Sequence, residues 1–267
     1  MMANVGDMKN TGVELTLNAN PVKTPDFTWN LSLNFAHNKN KVTKLSNDIY
    51  TTDRVFVGSV WWRGSSNVTT HVLEVDRPIG QFFGLDCAGL DTDGRYIFVD
   101  HDGEPGISEP GDYDYIGNAQ PLFIYGINNS FRYKNIDFSF FLRGDYGGDV
   151  LNTPRMAYAQ SGYMPGANAL NDPLTSTLKV TPKYSNFYLE KGSYMRLDNM
   201  SLGYTFHSFL GGVRVYATAQ NLFVITKYKG VDPELPLGTS DGLAPGVEPL
   251  EFYPKARTFS IGLNINF

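Results

Sequence analysis

The chain has 267 residues, a net charge of −5 and a pI near 5.4, and no basic stretch dense enough to neutralise a run of phosphates, which argues against nucleic acid as a partner. A single cysteine, Cys87, permits no internal disulfide, and His37, His71, His101 and His207 are too scattered for a zinc spacing. With 18 Phe, 16 Tyr, 27 Gly and 15 Pro, and without Ala/Leu/Glu/Lys-rich blocks, the composition points to β structure.

The opening MMANVGDMKNTG lacks a charged leader followed by an apolar stretch, so no signal peptide is read there. No apolar run approaches the ~18 residues of a spanning helix. The first element is an alternation, with Val13, Leu15, Leu17 and Ala19 against Glu14, Thr16 and Asn18. A longer one follows: Phe27, Trp29, Leu31, Leu33 and Phe35 share one face, and Thr28, Asn30, Ser32 and Asn34 the other. HVLEVDRPIGQFFGLD reads as two strands broken at Pro78-Ile79-Gly80. PLFIYGINNSFRY, NIDFSFFLRG, SYMRLDNMSLGYTF and VRVYATAQNLF supply four more, with Ile136, Phe138, Phe140 and Leu142 opposite Asp137, Ser139 and Arg143 in the second of them. The last strand alternates Phe259, Ile261, Leu263, Ile265 and Phe267 with Ser260, Gly262, Asn264 and Asn266, so its apolar face runs to the final residue and demands an apolar cover.

The connections fall into two classes. Those around Asn135 and Gly211 are short, whereas 39–69, 91–121, 147–193 and 223–255 are long and rich in Gly, Pro, Asp and Tyr. Short turns on one side and long loops on the other are the habit of a membrane barrel. Alternation of the two classes requires a break at Pro78-Ile79-Gly80, which gives about nine antiparallel transmembrane strands, all-β, with the first residues on the long-loop side. Bacterial single-chain barrels have even strand numbers. Residues 1–267 are therefore expected to be a piece of a barrel.

The blocks NVGDMKNTGVELTLNANPV, FTWNLSLNFAHNKNKVTKL, IGNAQPLFIYGINNSFRYKNIDFSFFLRGDYG, SYMRLDNMSLGYTF and AQNLFVITKYKGVDPE, with the terminal Phe267, resemble the C-terminal portion of the SusC/RagA family of TonB-linked outer-membrane proteins of Bacteroidetes. The resemblance implies a 22-stranded barrel with an N-terminal plug. It implies import of glycans or peptides beneath a SusD-like lipoprotein lid, on energy delivered by TonB-ExbB-ExbD through the N-terminal part. It also implies outer-membrane lipid as the cover for Phe259, Ile261, Leu263, Ile265 and Phe267, the last serving as an assembly signal. Signal peptide, plug and earlier strands are not read in this sequence.

No G-x-S-x-G, H-E-x-x-H or G-x-x-x-x-G-K-[ST] motif is present, so nothing suggests an enzyme. In DTDGRYIFVDHDGEPGISEPGDYD, the residues Asp91, Asp93, Asp100, Asp102 and Glu104 offer hard oxygen ligands of the kind Ca²⁺ takes, without EF-hand spacing; a solvated turn-rich loop is the plainer reading. Trp61, Trp62 and Arg63 form a candidate ligand platform, the indoles for a sugar ring and Arg63 for an acidic group, as do Tyr158 and Tyr163, with burial in loop packing or anchoring at the membrane interface as the alternatives. Trp29, Phe131, Tyr133, Tyr204, Phe206 and Phe267 sit near strand ends, as an aromatic girdle would. The rival to a transport barrel is a soluble all-β carbohydrate-binding module or surface lectin, whose sandwich core would take the apolar faces.

Overall fold

Alternation dictates the main sheet. In the computed structural model, which describes residues 6–46, 51–162, 164–207, 212–235 and 242–265, the first two alternating segments form β1 (Asp7–Lys23) and β2 (Phe27–Lys44), joined by a tight turn in which Phe27 N–H donates to Thr24 Oγ1 at 2.9 Å. The chain then leaves the sheet for β3 (Arg54–Val57), β4 (His71–Glu74), β5 (Gln81–Leu85), β6 (Cys87–Leu90), β7 (Tyr96–Phe98) and β8 (Tyr113–Asn118). It returns as the hairpin β9 (Pro121–Tyr133) and β10 (Ile136–Gly147), leaves again through β11 (Asp149–Leu151), α1 (Thr153–Tyr158), α2 (Pro173–Thr177) and β12 (Leu189–Lys191), and finishes with β13 (Tyr194–Phe206), β14 (Val213–Thr226) and β15 (Thr258–Ile265).

Seven of these strands make one antiparallel sheet in the order β1-β2-β9-β10-β13-β14-β15. Several, at 12 to 18 residues, exceed the ~9–11 that a tilted strand needs to cross a bilayer. Register carries each residue class straight across the sheet. One row reads Trp29, Phe131, Phe138, Leu202, Ala217, Ile261, and another reads Phe27, Tyr133, Ile136, Tyr204, Val215, Leu263. The opposite face carries Asn30, Ser130, Ser139, Ser201, Thr218 and Ser260 in register. Close approach on that polar face depends on glycine: a Cβ at Gly203 would sit 2.6 Å from Asp137 Oδ1, where Arg214 Nε donates to the same carboxylate at 2.9 Å.

Burial separates the molecule into two regimes. The apolar face of the sheet has no covering layer: Val13 is 65% exposed, Phe259 69% and Ile261 86%. The buried core lies instead among the excursions, where Val60, Trp62, Phe82, Leu151, Met156, Tyr184 and Tyr188 pack together. A water-soluble sheet does the reverse, because apolar area left in water forgoes about 25 cal/mol per Å².

Two expectations need correction. The sheet has seven strands rather than about nine, because β4 and β5, though separated at Pro78-Ile79-Gly80 as read, pair with β3 and β8 in a separate four-stranded sheet. Their sequences explain it: His71-Val72-Leu73 and all five residues of β5 are buried, so neither segment has the one-sided pattern of a wall strand. With those two removed, short and long connections alternate without exception along the seven wall strands, and β3 to β8 all lie within the one connection between β2 and β9. Strand ends also differ, since β2 continues to Lys44 and β14 to Thr226.

Candidate functional site

The polar face of the sheet is organised by one irregularity. Register shifts between Phe141 and Leu142 and between Leu197 and Asn199 leave Asp198 without a β10 partner, and Asn221 opposite it adopts φ 53°. The bulge turns charged side chains towards each other. Arg143 donates from Nε to Asp198 at 2.8 Å and reaches both oxygens of Glu234, at 2.6 and 3.1 Å. Arg196, 2% exposed, donates to Asp232 at 2.6 Å and to the Asn221 side chain, and its Nε lies 3.2 Å from Glu234. Lys255 joins the same glutamate. Asp232, Glu234 and Lys255 belong to the connection between β14 and β15, so that segment is strapped onto the polar face by charge-assisted hydrogen bonds.

The excursions build a second feature above the end of the sheet where the long connections emerge. Residues 58–70, the α1 region and residues 244–251 converge there: Leu151 bridges Val247, and Thr153 Oγ1 donates to the Glu248 carbonyl. Gly58, at φ 73°, allows the approach, because a Cβ there would lie 2.7 Å from both Ala244 Cβ and Thr70 Oγ1. Between the segments is a cavity of about 190 Å³ lined by Trp61, Thr70, Thr153, Val247, Leu250 and Glu251, among others. Glu248 on its wall is fully buried, and that burial raises its carboxyl above the usual range although Tyr228 O–H and Val231 N–H (2.7 Å) donate to it. Beside the cavity, His71 is 1% exposed, packs on Phe82 and contacts Thr70 Oγ1 at 2.8 Å, while its Nε2 has no hydrogen-bond partner. Burial lowers its pKa to about 4, so the ring is neutral.

No family model matches the chain. It is 33% identical to the TonB-dependent receptor SusC of Bacteroides thetaiotaomicron over 285 residues, covering 100% of this chain and 27% of that protein. It is 32% identical to a TonB-dependent receptor of Formosa agariphila over 302 residues, covering 99% of this chain and 29% of the relative. Among solved structures, the RagAB peptide importer in its closed-closed state superposes with a TM-score of 0.75 at 25% identity, over 97% of this chain and 30% of that one. The chain belongs to the SusC/RagA family of TonB-dependent receptors. It spans less than a third of the length of these relatives. Its sheet has the two unlike faces of an outer-membrane barrel wall, apolar rows on one side and serine, asparagine and arginine rows on the other.

In this receptor segment Phe259, Ile261, Leu263 and Ile265 lie on the apolar face of the sheet, paired with Ala219, Ala217, Val215 and Val213; Phe267 lies outside the described residues. Trp29, Phe131, Tyr133, Tyr204 and Phe206 share that side. Of the ligand-platform residues, Trp61 is 60% exposed at the cavity and Tyr158 is exposed at the end of α1, whereas Trp62 is buried in the loop core; Tyr163 lies outside the described residues. Arg63 follows Trp62 in the same turn, which is closed by Ser65 N–H donating to the Trp62 carbonyl at 3.0 Å. Tyr184 and Tyr188 are core residues.

The acidic stretch is largely turn chemistry. Asp91 Oδ1 accepts from Asp93 and Arg95 N–H, and Asp100 Oδ1 accepts from Gly103 N–H. Asp100 and Asp102 bring carboxylate oxygens within 4.8 Å of Asp112, while Asp91, Asp93 and Glu104 join no such group among the described residues. Buried Asp112 accepts from the backbone N–H of Ser108 and His101, which holds its carboxyl below the usual range and commits both its oxygens to loop structure. Sequence reading missed Arg196, Asp232, Glu234 and Glu248 as a structural set, since no periodicity marks a loop that folds back on a wall.

Proposed function

We propose that this chain is the C-terminal barrel segment of a SusC-like importer that moves glycans or peptides across the outer membrane. It would act with a SusD-like lipoprotein and draw energy through TonB-ExbB-ExbD by way of the remainder of the polypeptide. One observation carries the reading: a seven-stranded wall, apolar on one side and polar on the other, bears on one end a folded loop assembly with its own core. That division suits a transporter, whose wall meets lipid while its outer loops meet cargo. RagAB is named as a peptide importer, which supports transport as the class of activity. The lectin reading is disfavoured because the face that would form its core is the exposed one.

The test is uptake. A strain deleted for the full-length receptor should lose growth on one polymeric carbon or nitrogen source and recover it on complementation. Recovery should fail when the receptor cannot couple to TonB. Unchanged growth on every glycan and peptide source would sink the proposal, as would recovery of the full-length receptor from the soluble fraction.

A further inference from the structure

Trp61 and Trp62 are neighbours with opposite fates. Trp62, 3% exposed, is held in the loop core, while Trp61, 60% exposed, stands at the cavity between residues 58–70 and 244–251. The turn that carries them is pinned on both sides: Val60 and Val68 exchange both backbone hydrogen bonds at 3.0 and 2.9 Å, and Trp62 N–H donates to Ser65 Oγ at 2.9 Å. The exposed indole is thus presented by a fixed turn with a buried anchor, so little ordering remains to be done when a ligand arrives.

From this geometry we infer that the cavity beside Trp61 is a binding subsite for one ring of a neutral oligosaccharide. This deepens the importer reading and rests on it. A flat, rigid aromatic face suits the C–H face of a pyranose or furanose ring. Ser59 and Glu251 at the same cavity supply a hydroxyl and an exposed carboxylate for ring hydroxyls. Glu248 is not available for this, since Tyr228 and Val231 occupy its oxygens. Among the described residues no Lys, Arg or His lines the cavity, so an acidic sugar or a peptide carboxylate finds no counter-charge from them. The volume, about 190 Å³, is below the ~300 Å³ at which pockets for drug-sized ligands begin, so it takes one unit of a chain rather than the chain.

The experiment uses the full-length receptor in detergent, titrated calorimetrically with maltohexaose, mannohexaose, xylohexaose, a fructo-oligosaccharide and a galacto-oligosaccharide, and separately with a tryptic digest of casein. Wild type should bind at least one oligosaccharide, Trp61→Ala should weaken that binding tenfold or more, and Trp61→Phe, which keeps an aromatic face, should weaken it less than threefold. Equal affinity for wild type and Trp61→Ala overturns the inference. Binding of peptides but of no oligosaccharide overturns it too, yet leaves the importer reading standing. Binding of neither overturns it, and only if uptake also fails in the growth test does the importer reading fall with it.

Discussion

Trp29 on β2 donates its indole N–H to the side-chain carbonyl of Asn129 on β9, 3.0 Å away, on the apolar face of the wall. Asn129 pairs with Leu31 and Phe140, and the Trp29 ring stacks on Phe131 at 5.8 Å. A carboxamide among such neighbours has no water to turn to, so each polar group is held there by the other. Asn129→Ala should therefore leave an orphaned indole N–H and cost about 1–3 kcal/mol, while the double change Asn129→Leu with Trp29→Phe should cost less than Asn129→Ala alone. Urea unfolding of the full-length receptor in lipid vesicles measures both; a double variant destabilised as much as Asn129→Ala or more would refute the pairing.

The two faces of β15 should respond oppositely to charge. Ile261→Arg places a cation in the lipid-facing row with Ala217, and such a change costs about 2–4 kcal/mol near the bilayer midplane. Ser260→Arg, one residue away, lies on the polar face beside Thr218 and should change stability by much less. Comparing folded yield and unfolding midpoints of the two variants assigns the faces; equal effects would refute the assignment.

The wall was legible in the sequence because its physics is local. A strand with lipid on one side and a polar lumen on the other alternates residue by residue, and Phe27–Phe35 and Phe259–Ile265 do so without interruption. The excursions were not legible because their core is assembled from distant segments. Phe82, Leu151 and Tyr184 meet in space without any shared period, and His71-Val72-Leu73 could pass for a wall strand until its second buried face was seen. Trp61 could be picked out as an indole in a loop, but only the structure distinguishes it from its buried neighbour.

Arg196 should be the most sensitive residue of the lumenal strap. Replacing it with Met removes the donor to Asp232 and Asn221 and the cation beside Glu234, and leaves buried Asp232 uncompensated, a change of about 3–5 kcal/mol for a broken buried pair. Arg196→Lys should recover only part of it, because an ammonium lacks the planar fork that reaches Asp232 and Asn221 together. Hydrogen exchange in residues 227–235 should accelerate in both variants, more in Arg196→Met, with the far end of the wall at Ile136–Phe140 unchanged. No acceleration in either variant would show that the strap is held by something else.

Acid should loosen the loop assembly through His71. Its folded-state pKa, about 4, lies below the ordinary 6.5 because burial disfavours the cation, so the folded form refuses a proton that the opened form accepts. The stability held by the neutral ring is complete above pH 6.5 and is lost as pH falls towards 4, at about 1.4 kcal/mol per unit and about 3 kcal/mol in all. Carboxylates of the loops titrate over part of the same range, so the informative quantity is the difference between wild type and His71→Leu. Protection of the backbone amides of β4 and β5, corrected for intrinsic exchange, should decline between pH 6.5 and 4.5 in wild type and decline less in the variant. Parallel profiles would mean that His71 takes no part in the acid response, and that the loops open through their carboxylates alone.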